Sequence, residues 1–123
     1  MDNYKPLSDV SVTFGFDKYV LTADDKKQLD DLTANLPKAH GYILELTAET
    51  DSTGDPAHNY DLSQRRADAV AGYLQSKYNI PAHKFYLVGI GKDQQMASDS
   101  TAAGRANSRR VDIKLLANAS DQQ

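Results

Sequence analysis

Thr50-Asp51-Ser52-Thr53-Gly54-Asp55-Pro56-Ala57-His58-Asn59-Tyr60-Asp61-Leu62-Ser63-Gln64-Arg65-Arg66-Ala67 is the stretch on which the reading of this chain turns. Before it, Tyr42 to Glu49 reads as a strand with Leu44 and Leu46 alternating. Its first seven residues, rich in Asp, Ser, Thr, Gly and Pro, read as a turn. A helical pattern then runs from about Asn59 to Tyr78. Asp51 therefore stands in a turn directly after a strand, and Arg66 on the helix that follows. On a helical wheel at about 100° per residue, with Leu62 as reference, Ala69 and Tyr73 lie within about 20° and Arg66 at about 40°. An arginine inside an apolar stripe is costly to desolvate unless something anionic meets it. Asn59 lies on the same face, in the first turn. An acid, an amide and a guanidinium converging at one end of a sheet suit a small zwitterion: the acid takes an ammonium and the guanidinium forks onto a carboxylate.

Outward from that stretch, Val10 to Phe16 alternates with period two, which predicts a strand with Val10, Val12, Phe14 and Phe16 on one face. Thr22-Ala23-Asp24-Asp25 has the form of a capping box. It opens a helix with an apolar stripe at Leu29, Leu32 and Leu36, closed by Pro37. Beyond the long helix, Asn79-Ile80-Pro81 breaks the pattern, and Phe85 to Ile90 reads as a strand. Residues 92–103 are a polar connection, and 102–108 can form a short helical turn. The last strand, Arg109 to Leu116, turns Val111, Ile113 and Leu115 inward. The predicted fold class is α/β in the α+β sense: a two-layer sandwich in β-α-β-α-β-β order, with a mixed sheet and the helices packed on one face. Residues 1–8 read as a leader, 9–117 as the domain and 118–123 as a polar tail.

Composition narrows the chemistry. The chain has 123 residues, 40% of them hydrophobic and 25% charged, ordinary values for one globular domain. A net charge of −3 gives no electrostatic footprint for nucleic acid. No apolar run approaches the roughly 20 residues needed to span a bilayer as a helix. With no cysteine there is neither a disulfide nor a thiolate metal site. His40, His58 and His83 lack metal-ligand spacing and read as surface histidines. The turn at Asp51 lacks the alternating acids and terminal glutamate of a calcium loop. Gly89-Ile90-Gly91 opens no helix and is not a nucleotide loop. Asp24-Asp25 and Asp30-Asp31 read as a solvated helix face. No metal or cofactor is implied, and no catalytic constellation stands out.

The motifs together are more specific. Phe14-Gly15-Phe16-Asp17-Lys18 with Leu21, Thr50-Asp51-Ser52-Thr53-Gly54, Asn59 with Leu62, Ser63, Arg66 and Ala67, Ile80-Pro81, Gly89-Ile90-Gly91, and Gly104-Arg105-Ala106 with Ser108-Arg109-Arg110-Val111 occur in the order and spacing of the OmpA-like C-terminal domain. That domain is the peptidoglycan-associating module of outer-membrane proteins, Pal-type lipoproteins and MotB-type stators. The chain resembles it from about Val10 to Leu116. The resemblance implies a non-catalytic, periplasmic domain that holds the diaminopimelate of a peptidoglycan stem peptide. It would thereby anchor a membrane-attached parent to the cell wall, without itself spanning the membrane. By position, Asp51 would take the far ammonium of diaminopimelate and Arg66 the adjacent carboxylate. Asn59 and Leu62 would line the pocket and Arg109 its rim. A homodimer is among the partners this allows.

Three departures from the family pattern stand out. Ala48-Glu49 replaces the usual Gly-His before Thr-Asp, Gly15 replaces an acid, and Ser108 replaces an asparagine. Glu49 and Gly15 motivate an alternative in which the fold serves as a protein–protein interaction module without wall binding. Bland alternatives remain for single residues. Asp51 can satisfy turn amides, Asn59 can be a helix cap, Arg66 can pair within the chain with Asp51 or Asp17, and Arg110 can pair with a helix acid.

Overall fold

The computed structural model describes residues 4–34, 36, 41–49, 55–90 and 109–118. Strand β1 spans Tyr4–Thr13, helix α1 Ala23–Thr33, β2 Tyr42–Glu49, α2 Pro56–Tyr78, β3 Phe85–Ile90 and β4 Arg110–Asn118. The chain order is the predicted one. Its spatial order is β1-β4-β2-β3, with β4 antiparallel to both neighbours and β3 parallel to β2. The last strand thus slots between the first two.

Alternation then builds one core. Val12 faces Val111 across β1–β4, while Leu44, Leu46 and Ala48 face Leu115, Ile113 and Val111 across β2–β4. All of these are buried with Leu29 and Leu32 of α1 and Val70 and Leu74 of α2. Because α1 packs on β1, and α2 on β2, β3 and β4, both helices cover the same face, as the two-layer expectation requires.

Local chemistry sets the helix ends. The Thr22 hydroxyl accepts from Asp25 N at 3.2 Å and Thr22 N donates to the Asp25 carboxylate at 2.9 Å, completing the predicted capping box. α1 stops at Thr33, so Leu36 lies beyond it and packs against the core from outside the helix. α2 starts earlier than Asn59. Asp55 caps it by accepting from His58 N at 3.0 Å, and Pro56 fills the first helical position, where its missing N–H is not needed. At the other end Asn79 takes a left-handed conformation and donates its N–H to Gln75 O.

β1 differs from its sequence reading at both ends. It begins at Tyr4, so residues 4–8, read as leader, pair with β4; Tyr4 lies opposite Asn118. It ends at Thr13 rather than Phe16. Asp17 adopts a left-handed φ of 57° that turns the chain, and Phe16 is 70% exposed instead of inward. Residues 102–108 and Gly91 lie outside the described residues.

Asp30 is not merely solvated. It ties α1 to α2 by accepting from the Tyr73 and Tyr78 hydroxyls at 2.7 and 2.5 Å and from Lys77 Nζ at 2.9 Å. These hydrogen bonds, Tyr78's foremost, lower its pKa from 3.8 to about 2. A depressed carboxyl pKa contributes stability that is present above 3.8 and is lost as pH falls towards about 2. Denaturant unfolding across that window should therefore show wild-type stability declining more steeply than that of Asp30→Asn, which lacks the titrating group. Parallel curves would mean the tie has no stabilising charge.

A buried arginine at the carboxyl end of the sheet

Asn59, Leu62 and Arg66 recur on α2 at spacings of three and four, and so share one face. Leu62 is buried, Asn59 half-buried, and Arg66 is 0% exposed. The wheel's placement of Arg66 inside the apolar stripe is what the fold shows.

Among the described residues its compensation comes from backbone. Arg66 Nε donates to Lys18 O at 2.8 Å and Nη2 to Gly15 O at 3.2 Å, while the guanidinium lies 5.3 Å from the Phe14 ring centre. The segment after β1 is thus wrapped onto α2. Arg109 holds the same segment from β4's side. Phe14 N donates to Arg109 O at 2.8 Å, Arg109 Nε returns a bond to Phe14 O at 3.3 Å, and the guanidinium lies 6.0 Å from the Phe16 ring centre. A third tie joins His58 Nε2 to Asp17 Oδ1 at 2.6 Å. Asp17 is therefore the partner of His58 and not of Arg66. Arg65 pairs with Asp61 at 2.8 Å and covers Tyr19, as a solvated helix edge would.

Of the five predicted site residues, Arg66 and Arg109 converge on residues 14–18, and Leu62 and Asn59 sit one and two turns before Arg66. Asp51 lies outside the described residues. Asn59 is not the helix cap, a role Asp55 takes. What sequence reasoning missed is the pair of carbonyl acceptors at Gly15 and Lys18.

The opposite face of the sheet carries a second buried charge. Glu49, 1% exposed, forms an ion pair with Arg110 Nη2, its register partner across β2–β4. Arg110 Nε also donates to Asp112 Oδ1 at 3.1 Å, and Asp112 accepts from the Ser11 hydroxyl at 2.6 Å. Burial pushes the Glu49 carboxyl upward, with the Arg110 guanidinium pulling against it. Among the described residues Arg110 thus pairs with strand acids, not with a helix acid. The glutamate in place of the family's histidine is ion-paired inside the sheet. Among the described residues, no group of three or more His, Cys, Asp or Glu is arranged to hold a metal.

An α+β sandwich with a desolvated arginine at the carboxyl end of its sheet is the class of domain these observations define. Residues 13–109 match the OmpA family model, and the chain belongs to the OmpA family. It is 36% identical to Outer membrane protein A of Bordetella avium over 91% of this chain and 57% of that one. It is also 36% identical to the Peptidoglycan-associated lipoprotein of Haemophilus influenzae, over 82% and 65%. The crystal structure of the peptidoglycan-associated lipoprotein from Burkholderia pseudomallei superposes with a TM-score of 0.69 at 27% identity, over 85% of this chain and 88% of that one. The C-terminal domain of Helicobacter pylori MotB shares the fold at a TM-score of 0.77 and 19% identity, over 92% and 88%. The chain spans less than two thirds of the length of the two curated relatives, 57% and 65%.

Two stability predictions follow from these buried charges. Arg66→Ala removes the donors to two carbonyls and leaves a large cavity, and should cost about 3 kcal/mol or more in urea unfolding. Glu49→Ala removes the carboxylate that faces Arg110 across β2–β4 and should cost about 3 kcal/mol, near the low end for a broken buried pair. A loss below about 1 kcal/mol, within the range of an exposed pair, would contradict the burial in either case.

Proposed function

We propose that this domain binds the peptidoglycan stem peptide non-covalently through its diaminopimelate moiety. It thereby anchors an envelope protein to the cell wall from the periplasmic side. The observation that carries the reading is the Arg66 guanidinium: it is wholly withdrawn from water at the end of the sheet and oriented by two backbone carbonyls. The names of the relatives, peptidoglycan-associated lipoproteins among them, point the same way. In this reading Asp51 takes the ligand's ammonium and Arg66 its carboxylate. Asn59 and Leu62 shape the pocket along α2, and Arg109 flanks it.

Diaminopimelate ends in its own ammonium and carboxylate, whereas lysine ends in an ammonium only. A lysine stem would give Asp51 its partner but offer Arg66 nothing, so discrimination rests on the guanidinium. Because Arg66 is fully buried, a ligand carboxylate reaches it only through a local rearrangement, which lowers the net affinity. Many ligand copies along a polymeric wall offset that through multivalency. The role is binding, and the residues assigned to it need no covalent step.

A second reading, a protein-interaction module without wall binding, draws on Phe16 and Val20, which are 70% and 72% exposed on the segment after β1. Calorimetric titration with a diaminopimelate stem peptide and its lysine counterpart separates the two. Wild type should saturate with the first peptide only, and Asp51→Ala should abolish binding while the domain keeps its thermal transition. Arg66→Ala is informative only alongside its unfolding curve, since that residue also holds the fold. A folded wild type that ignores both peptides would shift the reading to protein interaction.

A further inference from the structure

The two edges of the sheet are built differently. β1, at one edge, carries Lys5, Pro6 and Asp9 and breaks register between Pro6 and Ser8. These are the devices that keep an edge strand from pairing with another chain. β3, at the other edge, reads Phe85-Tyr86-Leu87-Val88-Gly89-Ile90, with neither charge nor proline. Tyr86, Leu87 and Val88 are 48%, 43% and 51% exposed in succession, so the strand shows apolar side chains on both faces. Among the described residues β3 pairs with β2 alone, and residues 85–87 keep regular register with it before a shift. Beside the edge, a shallow cleft of about 110 Å³ between β3 and α2 is lined by Leu46, Gln64, Ala67, Phe85 and Leu87.

We propose that the β3 edge is a self-association surface, taking the β3 edge of a second copy of this chain in antiparallel register about a twofold axis. A twofold strand pair opposes each residue to one of its own sequence, so any charge on the strand would face itself or a near neighbour. A six-residue strand without charge escapes that penalty. With the axis near Leu87, Leu87 opposes its own counterpart and Tyr86 opposes Val88, an aromatic against a β-branched residue, which is a favourable cross-strand pair. Pairing joins two four-stranded sheets into one of eight strands and keeps the helices of both copies on the same face. The contact is short, so the dimer is weak and concentration-dependent.

Sedimentation equilibrium of the wild-type domain should show monomer and dimer exchanging at roughly 0.1–1 mM. Tyr86→Lys and Val88→Lys, at exposed positions, should each raise the dissociation constant about tenfold or more, with an unchanged thermal transition. In wild type alone, raising the concentration should shift amide resonances of residues 85–90 first. A wild type that stays monomeric throughout, a dimer unaffected by both lysines, or concentration-dependent shifts centred elsewhere would overturn the proposal. In the first case the edge would be left for an extended segment of a different protein.

Discussion

A guanidinium with no water around it has to be met by acceptors fixed in place, and much of this domain is arranged to meet Arg66. Two of its acceptors are carbonyls of the segment that leaves β1, at Gly15 and Lys18. Those carbonyls are held in turn, because Arg109 brackets Phe14 by two bonds and His58 holds Asp17. Removing a charge from water costs several kcal/mol, and the cost is met only where every tie keeps its geometry. The β1 exit, the first three turns of α2 and the start of β4 therefore behave as one unit.

The same physics recurs on the other face with the signs arranged differently. Glu49 and Arg110 are register partners on the two central strands, so the ladder itself delivers the guanidinium to the carboxylate. Asp112 and Ser11 extend the chain of contacts from β4 to β1. One arginine thus ties helix to loop on the packed face while another ties three strands on the opposite face. Each is over-determined by backbone that would form without it. That distinguishes both from the exposed Asp61–Arg65 pair, which spans one turn of its own helix.

How much of this was legible in the sequence depended on whether the signal was local. Period-two alternation placed Val111, Ile113 and Leu115 inward because a strand's faces follow from its own residues. The capping box at Thr22 and the burial of Arg66 were readable for the same reason. Alternation alone could not say where β1 stops. Phe16 continues the pattern, yet the left-handed turn at Asp17 takes it out of the sheet. The described hydrogen-bond partners of Arg66 lie 48 and 51 residues away and are carbonyl oxygens, which every residue has and no side chain advertises. Nor could the Glu49–Arg110 pair be seen without knowing that β4 sits beside β2, since chain order places β3 between them. Asp51, the acid on which the zwitterion reading began, lies outside the described residues. The candidate site is therefore structurally defined on its guanidinium side.

Site and edge also constrain each other. β2 and β3 are parallel, so the candidate site lies at the carboxyl end of both strands. Antiparallel pairing through β3 sends the carboxyl ends of the two copies in opposite directions. The two sites would then stand at opposite ends of the joined sheet, separated by at least a strand length, roughly 25 Å for eight residues. Such a pair cannot grip one short peptide twice. It can hold two attachment points of an extended polymer, and this is the arrangement in which a modest affinity at each site gains most from linkage. A weak, reversible edge contact suits that role. It doubles valency where the domain is crowded against its ligand, and it leaves a dilute copy monomeric.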